Sequence, residues 1–267
     1  MSTTVGEVVS WLEAAYPPRL AEEWDRVGLS VGDPDAAVDH VLLTVDVTDA
    51  VVDEAVALGA QLIVAHHPLL LRGVHAVRVD QPKGRVVTRL IRAGIAVFSA
   101  HTNADAAADG VADALANVLA LTDRRPLDDH GQGRVGTLPA PLPARAVAQA
   151  LAEGVPTTVA GVKLGGDPDR VVATVGVVGG AGDSMLDAAR AAGVDCYVTG
   201  DLRHHPAQDF LAHADAPVLI DVPHWAAEWL WLPAAERTLQ MAAQTAGRAV
   251  TSTISRINTD PWVLRLG

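Results

Sequence analysis

Leu62-Ile63-Val64-Ala65-His66-His67-Pro68 is the stretch from which the fold and the chemistry are both read. Four apolar residues in a row suit a strand buried on both faces, and a proline ends a central strand while holding the residue before it extended. The histidine pair is therefore expected at the exit of a strand. In an α/β sheet that exit is where ligands bind. Two adjacent imidazoles there can turn toward two neighbouring metal ions, imidazole being the commonest protein ligand of divalent metals.

Around this stretch, strand-like and helix-like runs alternate. Val41-Leu42-Leu43-Thr44-Val45 reads as a strand and Thr48 to Leu58 as a helix, followed by the quoted strand. Beyond a loop around Gly73 to Gly84 come a helix near Arg85 to Ala93 and the strand Ile95-Ala96-Val97-Phe98. Asp109 is placed to cap a further helix whose Val111, Leu115, Val118 and Leu119 share one face. Thr4 and Glu7 form a capping-box pattern ahead of Val5, Val8, Val9 and Leu12, so the N-terminus reads as a folded helix rather than a signal peptide.

Such βαβ alternation predicts an α/β fold of two related lobes, each a mostly parallel sheet with flanking helices, with the metal site between the lobes. The Pro-, Gly- and Asp-rich segment from Leu121 to Pro143 is taken as the crossing, giving an N-terminal lobe over residues 1–125 and a C-terminal lobe over 126–267. A weak internal repeat supports two lobes. A shift of 134 residues matches Val41 with Val175, Asp49 with Asp183, Asp53 with Asp187, Ala55 with Ala189, Gly59 with Gly193 and Val64 with Val198. Under that shift His66 and His67 fall on Gly200 and Asp201, so the second lobe has no histidine pair at the equivalent point.

A formal net charge of −12 argues against duplex nucleic acid as the main partner, because that affinity rests on cations that neutralise phosphates. A small anionic substrate remains compatible, since bound metals and local arginines override the global field. The single cysteine, Cys196, makes no intrachain disulfide and fits a reducing compartment; its strand-like setting suits a small buried apolar residue better than a nucleophile. No stretch approaches a membrane span, and the expectation is a cytoplasmic protein.

Two other strand-to-helix junctions offer metal ligands. One is Asp105 in His101-Thr102-Asn103-Ala104-Asp105, after a strand that ends at Ala100. The other is His224-Trp225-Ala226-Ala227-Glu228, after the strand Val218-Leu219-Ile220-Asp221, with Pro223 in the first helical turn. Residues four apart share a helix face, so His224 and Glu228 reach one ion or two adjacent ions. The candidate ligands are thus His66, His67, Asp105, His224 and Glu228, and two divalent ions per chain are expected. Nitrogen and oxygen donors without thiolate suit Zn, Fe(II), Mn or Co and do not choose among them.

Plainer roles compete with these. His75, His130 and His213 read as surface or satisfied residues. For His204 and His205 both readings stand: surface groups, or groups lining the site without ligating, with Asp201 as an acceptor for one of them. Arg72 and Arg203 read as solvated, yet their position near the proposed sites suits gripping an anion. Gly179-Gly180-Ala181-Gly182 lacks the lysine and spacing of a nucleotide loop and reads as a tight connection. Trp24, Trp225 and Trp229 could stack on a purine but read more simply as core.

Taken together, Leu20 to Leu29, Val45 to Thr48, Ile63 to Leu69, Ala100 to Asp105, Thr199 to Asp201 and His224 to Glu228 resemble the dinuclear-metal-centre, NIF-three-like family, the type 2 homologs of GTP cyclohydrolase I. The resemblance covers nearly the whole chain. It implies that His66 and His224 bind one ion and His67 and Asp105 the other, with Glu228 as bridge and His101 close by. It also implies a homo-oligomer, often a toroidal hexamer; some members carry an inserted middle domain, for which the short crossing here leaves no room. The chain departs from the family pattern at Arg26, where Asn is usual, at Asp201, where Glu is usual, and at Val222-Pro223 ahead of His224.

The expected function is a dinuclear-metal protein of hydrolase type, with Glu228, His101 and His205 as candidate catalytic residues and a small anionic or nucleotide substrate. The alternative is a non-enzymatic metal-binding or regulatory scaffold, and both need the same ligands.

Overall fold

The structure, a computed structural model, describes residues 2–266. Its strands in chain order are β1 (Gly28–Val31), β2 (His40–Thr44), β3 (Leu62–Ala65), β4 (Ala96–Ser99), β5 (Thr122–Arg125), β6 (Arg134–Pro143), β7 (Lys163–Gly165), β8 (Val171–Ala181), β9 (Cys196–Gly200), β10 (Val218–Asp221) and β11 (Thr251–Ile254). They form two sheets, ordered β1-β4-β3-β2-β11 and β5-β6-β8-β9-β10-β7. The chain divides into two compact units. One holds the residues up to Ala108 together with Leu232–Thr259, and the other holds Asp109–Trp231 together with the residues from Asp260 on. No single cut separates them, because β11 pairs in parallel with β2, Thr251 opposite His40.

In the first unit β4, β3, β2 and β11 are parallel and β1 closes one edge antiparallel. All four β3 residues are buried, as their unbroken apolar run requires of a strand covered on both sides. Side chains alternate across the sheet, so Leu42, Ile63, Ala65 and Val97 meet Val51, Val52, Ala55, Val86, Val87 and Leu90 of the helices Asp49–Leu58 and Pro82–Ala93. The helices Val5–Ala15 and Leu232–Thr245 pack on each other in the same unit and carry the buried Val5, Val8, Leu12, Ala235 and Leu239. The capping box at Thr4 forms as expected: the Glu7 N–H donates to Thr4 Oγ1 at 3.2 Å and the Thr4 N–H to Glu7 Oε2 at 2.9 Å.

The second unit has a mixed sheet. Its centre, β8-β9-β10, is parallel, but β6 pairs antiparallel with β8, β5 antiparallel with β6, and β7 antiparallel with β10. Part of the segment taken as a crossing is therefore sheet: β5 and β6 pair within it. Its proline content concealed this, since Pro139 and Pro141 lie where the β6–β8 register shifts, the kind of irregularity that accommodates proline in a strand. Asp109 does not cap the helix Val111–Val118; it sits at φ 55°, Gly110 holds the cap position, and no side chain caps it.

The internal repeat has a structural counterpart. Val41 lies opposite Leu62 and Leu43 opposite Val64, while Val175 lies opposite Cys196 and Val177 opposite Val198. Each partner is displaced by the same 134 positions, so the two strand–helix–strand segments share one register. Gly59 and Gly193 correspond too, both left-handed (φ 64° and 69°) just after their helices. Among the described residues no helix is long and apolar enough to cross a membrane.

Asp195 ties β9 to β8. Its Oδ2 accepts the N–H groups of Ala173 and Thr174, both at 2.9 Å, and the Thr174 hydroxyl at 3.0 Å. Burial alone would raise its pKa, but these donors outweigh it and hold the carboxyl below its ordinary 3.8. A lowered folded-state pKa means that the contribution is full above the unfolded value and disappears as pH falls through the folded one. Asp195→Asn should lower unfolding stability at pH 7 by about 1–2 kcal/mol, with the gap from the native protein narrowing below about pH 4, as urea unfolding at several pH values would show.

Candidate metal centre

In the first unit the ligand candidates stand where parallel strands end. His66 and His67 follow β3 and stay in the ladder, their N–H groups donating to Thr44 O at 3.1 Å and Val45 O at 2.9 Å. His101 is the residue that opens the short helix Thr102–Ala106 after β4, and Asp105 lies within that helix. The His66 ring centroid lies 5.1 Å from those of both His67 and His101, and His67 and His101 are 5.4 Å apart. One ring nitrogen of each falls within 4.8 Å of the others, and Asp105 Oδ1 lies 3.7 Å from His66 Nε2. His66 is fully buried, while His67 and His101 are partly open.

Each of these imidazoles is held from behind. His66 Nδ1 donates to Ala100 O at 3.0 Å, His67 Nδ1 to Asp46 Oδ1 at 2.8 Å and His101 Nδ1 to Asp25 Oδ1 at 2.9 Å. A carbonyl or carboxylate oxygen only accepts, so the proton is fixed on Nδ1 and the Nε2 lone pair is the one left to coordinate. Asp25 is fully buried. Burial alone would raise its pKa, yet donation from His101 and Thr102 outweighs that and holds the carboxyl well below the usual range.

The second unit repeats the arrangement. β10 ends at Asp221, and His224 begins the helix His224–Trp229 with Pro223 at its cap. His224 Nδ1 donates to Asp201 Oδ2 at 2.8 Å, and its Nε2 lies 2.9 Å from the buried Glu228 Oε1. The register that places the histidine and the carboxylate on one face is the expected i, i+4 spacing. Glycine makes room for the pair: at Gly180 (φ 64°) a Cβ would stand 2.5 Å from Glu228 Oε1. Gly180 therefore serves as close packing against Glu228, which the sequence read only as a tight connection. A cleft of about 520 Å³ opens beside His224, walled in part by Lys163, Asp221, Pro223 and Trp262.

Other expectations fare differently. His204 and His205 open the helix His204–Leu211, both exposed, with their rings 5.1 Å apart, and Asp201 bonds His224 rather than either of them. Arg203 pairs with Asp183, and Arg72 is exposed. Trp225 is buried, but Trp24 is 55% exposed and stands edge-on to His101 at 5.9 Å, so Trp24 is not a core residue. Cys196 is buried and its burial pushes the thiol pKa up, which keeps thiolate out of the donor set. The supporting carboxylates Asp25 and Asp46 were missed by the sequence reading, and Asp201 was read as a histidine acceptor but for His204 or His205. Asp46 and Asp201 were open to the same strand-exit rule that singled out the histidines, since they follow β2 and β9.

Imidazole nitrogens and carboxylate oxygens, with each histidine oriented through its second nitrogen, fit a borderline divalent metal. Such a donor set on the ends of α/β strands defines a candidate metal-binding protein with a known fold. The match of a family model for Duf34/NIF3 (NGG1p interacting factor 3) to residues 3–261 places the chain in that family. A Streptomyces coelicolor protein named GTP cyclohydrolase 1 type 2 homolog is 46% identical over 266 residues, covering 97% of this chain and 93% of its own. A Mycobacterium tuberculosis protein of the same name is 34% identical over 376 residues, covering 99% and 98%; that span exceeds this chain's 267 residues, so the relative carries residues absent here. Among solved structures, a Bacillus cereus protein related to NIF3 superposes with a TM-score of 0.92 at 25% identity over 99% of each chain. A Staphylococcus aureus hypothetical protein gives 0.91 at 25% identity, covering 99% and 100%.

Without a metal, His224 holds a proton. Burial opposes the charge, but Glu228 and Asp201 together push the pKa up to about 11. A cation that takes Nε2 must displace that proton, so binding should strengthen as pH rises. Between pH 6 and 8 the apparent affinity at this ligand is expected to climb about tenfold per unit, measured by calorimetric titration in buffers of different ionisation heat, which also counts the protons released.

Proposed function

We propose that His66, His67 and Asp105 of the first unit and His224 and Glu228 of the second hold two divalent ions, and that the protein is a dinuclear-metal hydrolase. The observation that carries this is the fixing of four imidazoles through Nδ1, three by carboxylates and one by a carbonyl. Histidines that serve only as surface or packing groups have no need of that support. The 3.7 Å approach of Asp105 to His66 supports placing those two on one ion, in place of the His67–Asp105 pairing that the resemblance implies, and the resemblance supplies Glu228 as the bridge. Bound divalent ions would supply Lewis acidity toward a carbonyl, amidine or phosphoryl oxygen.

The protein's own groups would do the rest. Glu228, buried against Gly180 with little room to move, holds negative charge where two cations repel each other. His101, partly open and fixed in one tautomer, is placed to exchange a proton, and the cleft beside His224 receives the substrate. His205, exposed on its helix, contributes at most to the rim. The substrate class is small cyclic amides or amidines and phosphoesters, with GTP included because relatives are named for a cyclohydrolase. A homo-oligomer, of hexamer size by the family resemblance, is supported by the exposed apolar residues Trp262, Val263, Leu264 and Leu266.

Two tests apply. Elemental analysis after loading with Zn, Mn or Fe(II) should give two ions per chain. Glu228→Gln should hold about one or fewer, while His205→Ala keeps both and circular dichroism shows both variants folded; two tight ions in the Gln variant would remove Glu228 as the bridge. The loaded protein should turn over at least one member of a panel of GTP, cyclic amides and phosphoesters, and failure on all of them would favour a metal-binding scaffold. Light scattering should show six chains, and a monomer at micromolar concentration would contradict the assembly.

A further inference from the structure

The buried Asp25 lies outside the five proposed ligands, yet its carboxylate gathers four hydrogen-bond donors. Oδ1 accepts from the Arg26 N–H at 2.7 Å and from His101 Nδ1 at 2.9 Å. Oδ2 accepts the Thr102 N–H at 3.0 Å and the Thr102 hydroxyl at 2.5 Å. Thr102 Oγ1 meanwhile accepts the Glu22 N–H at 3.0 Å, which leaves its own hydrogen for Asp25. Both oxygens of Asp25 are therefore committed as acceptors, and His101 has to donate from Nδ1.

Two Thr102 bonds suffice to tie the segment before β1 to the start of the helix Thr102–Ala106. The His101 bond falls on the same helix start, and it is the one bond of Asp25 that ends on a ring of the histidine cluster. His101 also differs from its neighbours. The first unit brings three imidazoles together where the second unit, with Gly200-Asp201 in place of His66-His67, has only His224 at the corresponding point. The His101 side chain is 14% exposed, between His66 at 0% and His67 at 25%, and Trp24 stands edge-on to it.

We propose that Asp25 is a positioning residue: it locks His101 as the Nδ1–H tautomer, so that Nε2 faces His66 and His67 as a base beside the ligands and not as one of them. This rests on the metal reading above for its function, but the tautomer itself does not depend on metal. A carboxylate behind an imidazole also stabilises the imidazolium when Nε2 takes a proton, the usual way to make histidine an effective proton carrier.

Magic-angle-spinning NMR of metal-free protein labelled with [15N]histidine reads the tautomer at any oligomer size, and subtraction of the His101→Gln spectrum assigns the residue. Wild-type His101 should show an unprotonated Nε2 and a protonated Nδ1. Asp25→Leu, which leaves no acceptor behind the ring, should move the proton to Nε2. Thr102→Val, which removes the hydroxyl's two bonds and keeps the N–H bond to Asp25, should lower the unfolding midpoint and leave the tautomer as it was. After metal loading, His101→Gln and Asp25→Leu should keep the wild-type metal-to-protein ratio. A protonated Nε2 in the wild type or an unchanged tautomer in folded Asp25→Leu would overturn the positioning role, and loss of an ion from His101→Gln would make His101 a ligand. Absence of metal from the wild type itself would instead strike the proposed function and leave the tautomer result standing.

Discussion

The Nδ1–H bond of each site histidine is the constraint on which the rest of the arrangement depends. An imidazole has two similar nitrogens and two rotamer faces, and without an acceptor behind it neither the tautomer nor the ring orientation is defined. Here the acceptors come from the chain at the ends of strands. Ala100 follows β4, Asp46 follows β2 and Asp201 follows β9, while Asp25 reaches in from the segment before β1. The sheets align these ends, so the outer oxygens and the inner imidazoles are set by the same backbone ladders. Asp46 shows how far this reaches: its Oδ1 holds His67, and its Oδ2 accepts the Thr259 hydroxyl at 2.5 Å from the C-terminal part of the same unit.

Both units also use one local device. After a parallel strand comes a histidine at the start of a short helix and a carboxylate four residues on, His101 with Asp105 and His224 with Glu228. The shared register of β2–β3 and β8–β9 makes common ancestry of the units a natural account. Their chemistry has diverged at one strand exit. Where β3 leads into His66 and His67, the corresponding β9 ends in Gly200 followed by Asp201, an outer support. Gly200 is needed there because a Cβ would meet Gly180 O at 2.8 Å and Val222 O at 2.9 Å.

The parts of the fold legible in the sequence were those where local and tertiary demands agree. β3 falls on the quoted apolar run, and the helix Asp49–Leu58 lies between Thr48, whose hydroxyl accepts the Val51 N–H, and the left-handed Gly59. What escaped was decided by partners distant in sequence. β6 carries prolines that read as loop until its pairing with β8 is known, and β11, four residues of Thr, Ser and Ile, gains its place only from β2. The ligand candidates were legible because strand exits and helical spacing are local rules. Asp25 was not, since its bond to His101 spans 76 positions, and nothing in Glu23-Trp24-Asp25 marks a buried carboxylate.

The parallel pairing of β2 with β11 bears on how the protein is made. Thr251 pairs with His40 across 211 positions, so the whole of Asp109–Trp231 is synthesised before the first sheet receives its last strand. Contacts of such separation form late and slowly. The second unit draws almost all its residues from Asp109–Trp231 and has its whole sheet in hand well before that moment. Synthesis and maturation thus run in opposite order, with the part made first completed last. Until β11 arrives, the β2 edge, with Val41, Leu42 and Leu43 beside it, is an open template that invites pairing with other chains.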